Sequence, residues 1–204
     1  MTQLLIVAAG DGGRMGGTNK CLLEVDEGVT LIDHYLKLFG KDFDIRAVVG
    51  YNEKAIKERY PQISYTSNPN WDKSNSAYSV FLALKDCADE AVVIDADLYF
   101  NFIPQERGYY CTPLKESVLN KRYGNYMIYD CLGWFRGIAK LETKDIANYM
   151  KRYDRLWDDL CQRYWCNVQY DLKPVITQEK IYEFDTWEDY NGFLALKKEG
   201  KLWQ

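Results

Sequence analysis

Between Ala8 and Lys20 the chain reads Ala-Ala-Gly-Asp-Gly-Gly-Arg-Met-Gly-Gly-Thr-Asn-Lys, directly after an apolar run. Five glycines in so short a stretch let backbone N–H groups approach anionic oxygens closely. Arg14 and Lys20 add fixed positive charge, so the ligand suited to this segment is a polyphosphate. The dinucleotide fingerprint G-x-G-x-x-G fails, because Met15 stands where its third glycine belongs. The P-loop fails as well, since Lys20 follows Asn19 and precedes Cys21 instead of Ser or Thr. Acidic residues close two other strand candidates: Asp95 and Asp97 after Ala91–Ile94, and Asp185 after Ile181-Tyr182-Glu183-Phe184. Taken alone, the first pair fits a turn, and Asp185 with Glu188 fits a helix capping box.

Composition narrows the chemistry further. The 204 residues carry 26 basic and 30 acidic side chains, a net charge of -4, which argues against a nucleic-acid backbone binder. A single histidine, His34, removes most Ser-His and Cys-His catalysis. The six cysteines form no C-x-x-C pair, so zinc spacing is absent and free, mostly buried thiols are expected. No apolar run approaches the roughly 18 residues of a membrane helix, and no signal-peptide pattern opens the chain. The expectation is a cytoplasmic protein with no membrane partner, folded as one domain over 1–204.

Elements must bring these residues together. Leu4–Ala9, Ile45–Val49 and Ala91–Ile94 read as strands buried on both faces, and Ile63–Thr66 as a shorter one. Between them, 30–39, 53–60 and 76–84 have helical spacing, so a parallel sheet with chemistry at its strand C-termini is predicted. The second half differs. Strands are expected at 109–111, 126–129, 134–141 and 181–184, in more antiparallel pairings, with helices at 144–152, 156–164 and 187–198. Thr143 or Asp145 is the expected cap of the first of these helices.

The glycine segment resembles the signature A-A-G-x-G-x-R-[LM]-G…K of nucleotidyltransferases that join a nucleoside monophosphate to a phosphorylated acceptor. Within that superfamily, five segments resemble bacterial phosphocholine cytidylyltransferases in the same order along the chain. They are Val48-Val49-Gly50-Tyr51, Asn75-Ser76-Ala77-Tyr78-Ser79, Val93 to Phe100, Leu156-Trp157-Asp158-Asp159 and Tyr182 to Thr186. The chain departs from the pattern at Asn19, where a proline usually precedes the lysine.

The resemblance implies an α/β fold: a Rossmann-like, mixed but mostly parallel sheet flanked by helices, with a smaller antiparallel elaboration. It implies a nucleotide-binding half over 1–100 and an acceptor-binding, fold-completing half over 101–204. Ala8, Ala9, Gly10, Gly12 and Gly13, with Asn75, Ser76 and Ser79, would bind the nucleotide, and Arg14 and Lys20 would be catalytic. Asp97 and Asp185 would hold Mg2+, with Asp95 structural. The implied reaction moves CMP from CTP to a small phosphorylated acceptor, for decoration of a surface polysaccharide or lipid. Trp134, Trp157 and Asp158 are candidates for the acceptor, as is Lys140, whose charge would favour an amino-acid-like phosphate over phosphocholine. The alternatives are a sugar-1-phosphate nucleotidyltransferase using UTP, GTP, dTTP or CTP, and a non-catalytic nucleotide-binding regulator.

Overall fold

The computed structural model describes residues 1–87, 89–113, 133–155, 161, 165 and 172–203, without the side chains of 133–136, 154 and 155. The parallel frame starts with β1 (Thr2–Ala8), whose register runs from Thr2 beside Phe43 to Ala8 beside Val49 of β4 (Phe43–Val49). On its other side β1 pairs in parallel with β6 (Ala91–Asp95), and β4 pairs in parallel with β5 (Ser64–Ser67). Between β1 and β4 lie a small hairpin, β2 (Glu24–Asp26) with β3 (Val29–Thr30), and the helix α1 (Leu31–Phe39).

The chain passes from β4 to β5 through α2 (Glu53–Arg59), and from β5 back across the sheet to β6 through α3 (Ser76–Lys85). Strands leaving β1 in opposite directions open a crevice beyond the carboxyl ends of β1 and β6. The glycine segment and Asp95-Ala96-Asp97 both start there.

The second half extends the sheet past β6. Residues Gly133–Leu141 form β9, antiparallel to β6 and to β8 (Gly108–Pro113), and β10 (Pro174–Ile176) runs parallel to β8 at the edge. The sheet order is therefore β10-β8-β9-β6-β1-β4-β5, mostly parallel, and the expected fold class is what is observed. A separate two-residue ribbon pairs β7 (Leu98–Tyr99) with β11 (Tyr182–Glu183). The expected strand over 126–129 lies outside the described residues, as does nearly all of the expected helix over 156–164.

Alternation along the strands divides the core. Leu4 and Ile6 point to a face covered by α1, by Ile56 of α2 and by Phe193 of α5 (Trp187–Lys198). Leu5, Val48 and Val93 point to the other, covered by α3, by α4 (Thr143–Arg155) and by Trp165. Such two-sided burial is why the β1, β4 and β6 segments read as continuous apolar runs. Capping agrees only in part with expectation. In α4 it is Asp145 that turns back, accepting from the Glu142 N–H at 3.0 Å while Arg107 holds it from the other side. Among the described residues no helix is long and apolar enough to cross a membrane.

Candidate functional site

Beyond Ala8 the chain turns back on itself. Gly12 has φ +61°, and a Cβ there would lie 2.1 Å from the Thr18 carbonyl oxygen, so only glycine closes this turn. Met15 is buried and anchors the loop, Gly16 N–H donates to the Gly13 carbonyl at 3.1 Å, and Thr18 Oγ1 donates to the Met15 carbonyl at 2.8 Å. At Gly10 a side chain would meet nothing within 4 Å, which leaves bare backbone open to approach. The Gly13 N–H is capped by Asp11 Oδ1 at 3.0 Å.

The charged groups converge beside this loop. Lys20 Nζ lies 2.8 Å from Asp97 Oδ2 and 3.2 Å from Asp185 Oδ1, and Arg14 reaches the same Asp185 oxygen at 2.5 Å. The Lys20 side chain is only 14% exposed and that of Asp185 10%, whereas Arg14 at 61% reaches in from solvent. Burial works against the Lys20 charge, but the two carboxylates outweigh it and hold its pKa above the ordinary 10.5.

What brings Asp97 to Asp185 is the ribbon, not the common edge of a parallel sheet. Leu98 pairs with Glu183, and the Phe184 N–H donates to the Asp97 carbonyl at 2.9 Å. From beneath, Tyr35 of α1 donates its hydroxyl to the Leu98 carbonyl at 2.5 Å. The capping-box reading of Asp185 with Glu188 gives way to another pair. Thr186 is the N-cap of α5, with Asp189 as its reciprocal partner, so the Asp185 carboxylate is left to the cations.

Asp95 is held apart. Its Oδ1 accepts from Trp165 Nε1 at 2.9 Å, and its Oδ2 lies against Gly137, where a Cβ would come within 2.4 Å. Gly137 has φ +66° and lies where the β8–β9 register shifts, a bulge that gives this carboxyl its room. Burial, then the charge of Asp97, pushes Asp95 well above the usual carboxylate range. No sequence periodicity marks Trp165.

Among the expected nucleotide residues, Ala8 and Ala9 line the end of β1 and Tyr51 N–H donates to the Ala9 carbonyl at 3.1 Å. Trp71 packs onto the bare Gly50 and meets Tyr51 edge-on at 5.3 Å, placing two aromatic rings beside Ala9. Asn75 caps α3, its side chain accepting from the Ser76 N–H. Ser76 Oγ accepts from the Trp165 N–H at 3.0 Å, and the buried Ser79 hydroxyl bonds Asn68 at 3.1 Å. These three are therefore tied into the frame around the start of α3.

The acceptor residues fare differently. Lys140 pairs with Val92, and its ammonium goes to the Gln105 carbonyl at 3.1 Å and to Glu90 at 3.8 Å. Those partners lie near the start of β6, while Asp95 and Asp97 stand at its end, so the expected acceptor residue Lys140 is bonded away from the carboxylates. The Trp134 backbone pairs with Thr112, and its side chain lies outside the described residues, as do Trp157 and Asp158.

The donor set is of a kind that suits a magnesium ion, since two carboxylates converge on one ammonium nitrogen. Mg2+ characteristically takes one or two carboxylates and completes its shell with water and phosphate.

The likeness to solved structures shows that the fold is that of the nucleotidyltransferases. Residues 4–104 match the model of the MobA-like NTP transferase domain. Among solved structures, the CTP:phosphocholine cytidylyltransferase LicC from Streptococcus pneumoniae superposes with a TM-score of 0.74 at 22% identity, over 96% of this chain and 99% of that one. A putative glucose-1-phosphate thymidylyltransferase from Bacillus anthracis gives 0.69 at 16% identity, over 98% and 96% of the two chains. The inositol-1-phosphate CTP transferase from T. maritima gives 0.60 at 16%, over 98% and 97%. No curated protein sequence matches the chain.

Proposed function

We propose that this protein transfers CMP from CTP to a small phosphorylated amine of the phosphocholine kind, releasing pyrophosphate. The observation that carries the reading is the meeting of Asp97, Asp185, Lys20 and Arg14 beside the glycine loop, at the crevice of the sheet. The choice of CTP and of an amine acceptor rests on the resemblance of the five segments and on the likeness to LicC. The argument for an anionic, amino-acid-like acceptor depended on Lys140, and that lysine is engaged elsewhere.

In the reaction a phosphate oxygen of the acceptor attacks the α-phosphorus of CTP, and the bond to the pyrophosphate oxygen breaks in line. A phosphomonoester has a second pKa near 6, so the nucleophile is ionised at neutral pH and needs no general base. The glycine loop would cradle the triphosphate through its bare backbone, and Ala8 and Ala9 would lie along the nucleoside. Asp97 and Asp185 would hold Mg2+, which when bound supplies Lewis-acid stabilisation to the phosphoryl oxygens. Lys20, freed from the carboxylates, would meet the charge that develops on the transferring group, and Arg14 that on the leaving pyrophosphate. Asn75, Ser76 and Ser79 would act on the nucleotide by fixing the start of α3 at the base-facing side.

Pyrophosphate release tests this with each of the four NTPs against phosphocholine, phosphoethanolamine, an amide-phosphorylated amino acid and sugar 1-phosphates. Turnover of CTP with a phosphorylated amine is the expected result. Exclusive use of a sugar 1-phosphate would overturn the acceptor assignment and leave a sugar nucleotidyltransferase.

A further inference from the structure

We propose that Trp165 is a positioning residue that locks the nucleotide-facing end of α3 and the Asp95–Asp97 turn into one geometry; the inference rests on the nucleotide-transfer reading above. Two separate bonds leave this one residue. Its indole N–H donates to Asp95 Oδ1 at 2.9 Å, and its backbone N–H donates to Ser76 Oγ at 3.0 Å. A third bond, from the Asn75 N–H to the Cys161 carbonyl at 2.7 Å, ties the same stretch of chain to the start of α3.

Trp165 is 1% exposed, so these bonds are made where water does not compete, and a donor lost there leaves its acceptor unsatisfied. The site has been shaped to keep the arrangement. Gly137 takes φ +66° and a bulged register so that Asp95 can stand beside it, and any side chain at 137 would displace that carboxyl. Asp97 follows Asp95 by two positions on the turn that leaves β6, and Asn75 with Ser76 starts the helix proposed to face the base. A side chain anchored to both sets the distance between where the base is read and where the phosphates are held. A ligand spanning both ends is sensitive to that distance, and in the reaction a misplacement of about 1 Å can cost on the order of 100-fold in rate.

The test measures binding of each Mg2+–NTP to the full chain by titration calorimetry without acceptor, with thermal melting alongside. Trp165→Phe keeps the ring bulk and removes the indole donor. The expected result is a Kd for Mg2+–CTP raised about tenfold, the scale of one buried hydrogen bond, with narrowed preference among the four NTPs. Asp95→Asn keeps an oxygen to accept from the indole and is expected to hold the wild-type Kd. A residue that served only as core would lower the melting temperature and the bound stoichiometry, leaving the Kd of the folded fraction unchanged. That pattern in Trp165→Phe would overturn the proposal, as would an Asp95→Asn chain weakened as much as Trp165→Phe. A wild-type chain that binds no NTP would remove the nucleotide-transfer reading and this inference with it. A wild type that binds while Trp165→Phe binds equally well removes this inference alone.

Discussion

Lys20 holds two carboxylates at once, and that double duty decides how its variants behave. Removing a phosphate contact that strengthens in the transition state costs roughly 2.7–4 kcal/mol, so Lys20→Ala should lower kcat about 100- to 1000-fold in pyrophosphate release. Truncation also has a structural cost, because it removes the ammonium beside Asp97 and one of the two cations beside Asp185, both carboxylates being mostly buried. A loss of about 1–3 kcal/mol should appear in denaturant melts of Lys20→Ala run in EDTA, and millimolar Mg2+ should return part of it. Its pH dependence follows from sign. The folded pKa is raised above 10.5, so the stabilisation is complete below that pH and vanishes as pH rises through the folded value. Melting temperatures between pH 9 and 12 should therefore fall more steeply for wild type than for Lys20→Ala. Asp185 offers a sharper contrast. With Thr186 and Asp189 supplying the cap, Asp185→Asn should abolish metal-dependent turnover while α5 stays capped, and retained turnover would remove Asp185 as a metal ligand.

At the scale of elements, the long strands and helices were legible in the sequence because both faces of β1, β4 and β6 are covered and the runs are apolar throughout. The helix α5 begins where expected, at Trp187, although its cap was misassigned by one residue, since Asp185 and Thr186 are both good N-caps by type alone. The β7–β11 ribbon was not legible as a pair. Two-residue strands carry no periodicity, and only register shows that Leu98 faces Glu183. Nor was Lys140 readable, because the strand was identified while its partner Val92, which sets the end of β6 it serves, was not. Thr186→Ala should cost about 1 kcal/mol in denaturant unfolding, as N-cap losses do. The larger consequence should be catalytic. Loosening the first turn of α5 frees the adjacent Asp185, so the Mg2+ concentration for half-maximal turnover should rise, and an unchanged value would separate the cap from the site.

Across the whole molecule, the glycine loop and Asp97 sit on the parallel frame that the sequence announces, whereas Asp185 reaches them through the last fifth of the chain. The two halves are joined at β6 and β9, at the ribbon, and around Trp165, and each junction touches the crevice. Global unfolding and loss of nucleotide binding should therefore coincide in urea, monitored by circular dichroism and by fluorescence of a bound nucleotide analogue. Binding lost well before unfolding would show that the second half detaches first. The ribbon has one further consequence, which concerns the order in which the chain is made. A ribosome delivers the glycine loop, Lys20 and Asp97 long before it delivers Asp185, and until then Lys20 has half of its partners and the first carboxylate has no second. An emerging polypeptide can thus fold its parallel frame early and still lack an assembled centre, so competence waits until Asp185 has emerged, and products that stop before it carry a frame without the chemistry.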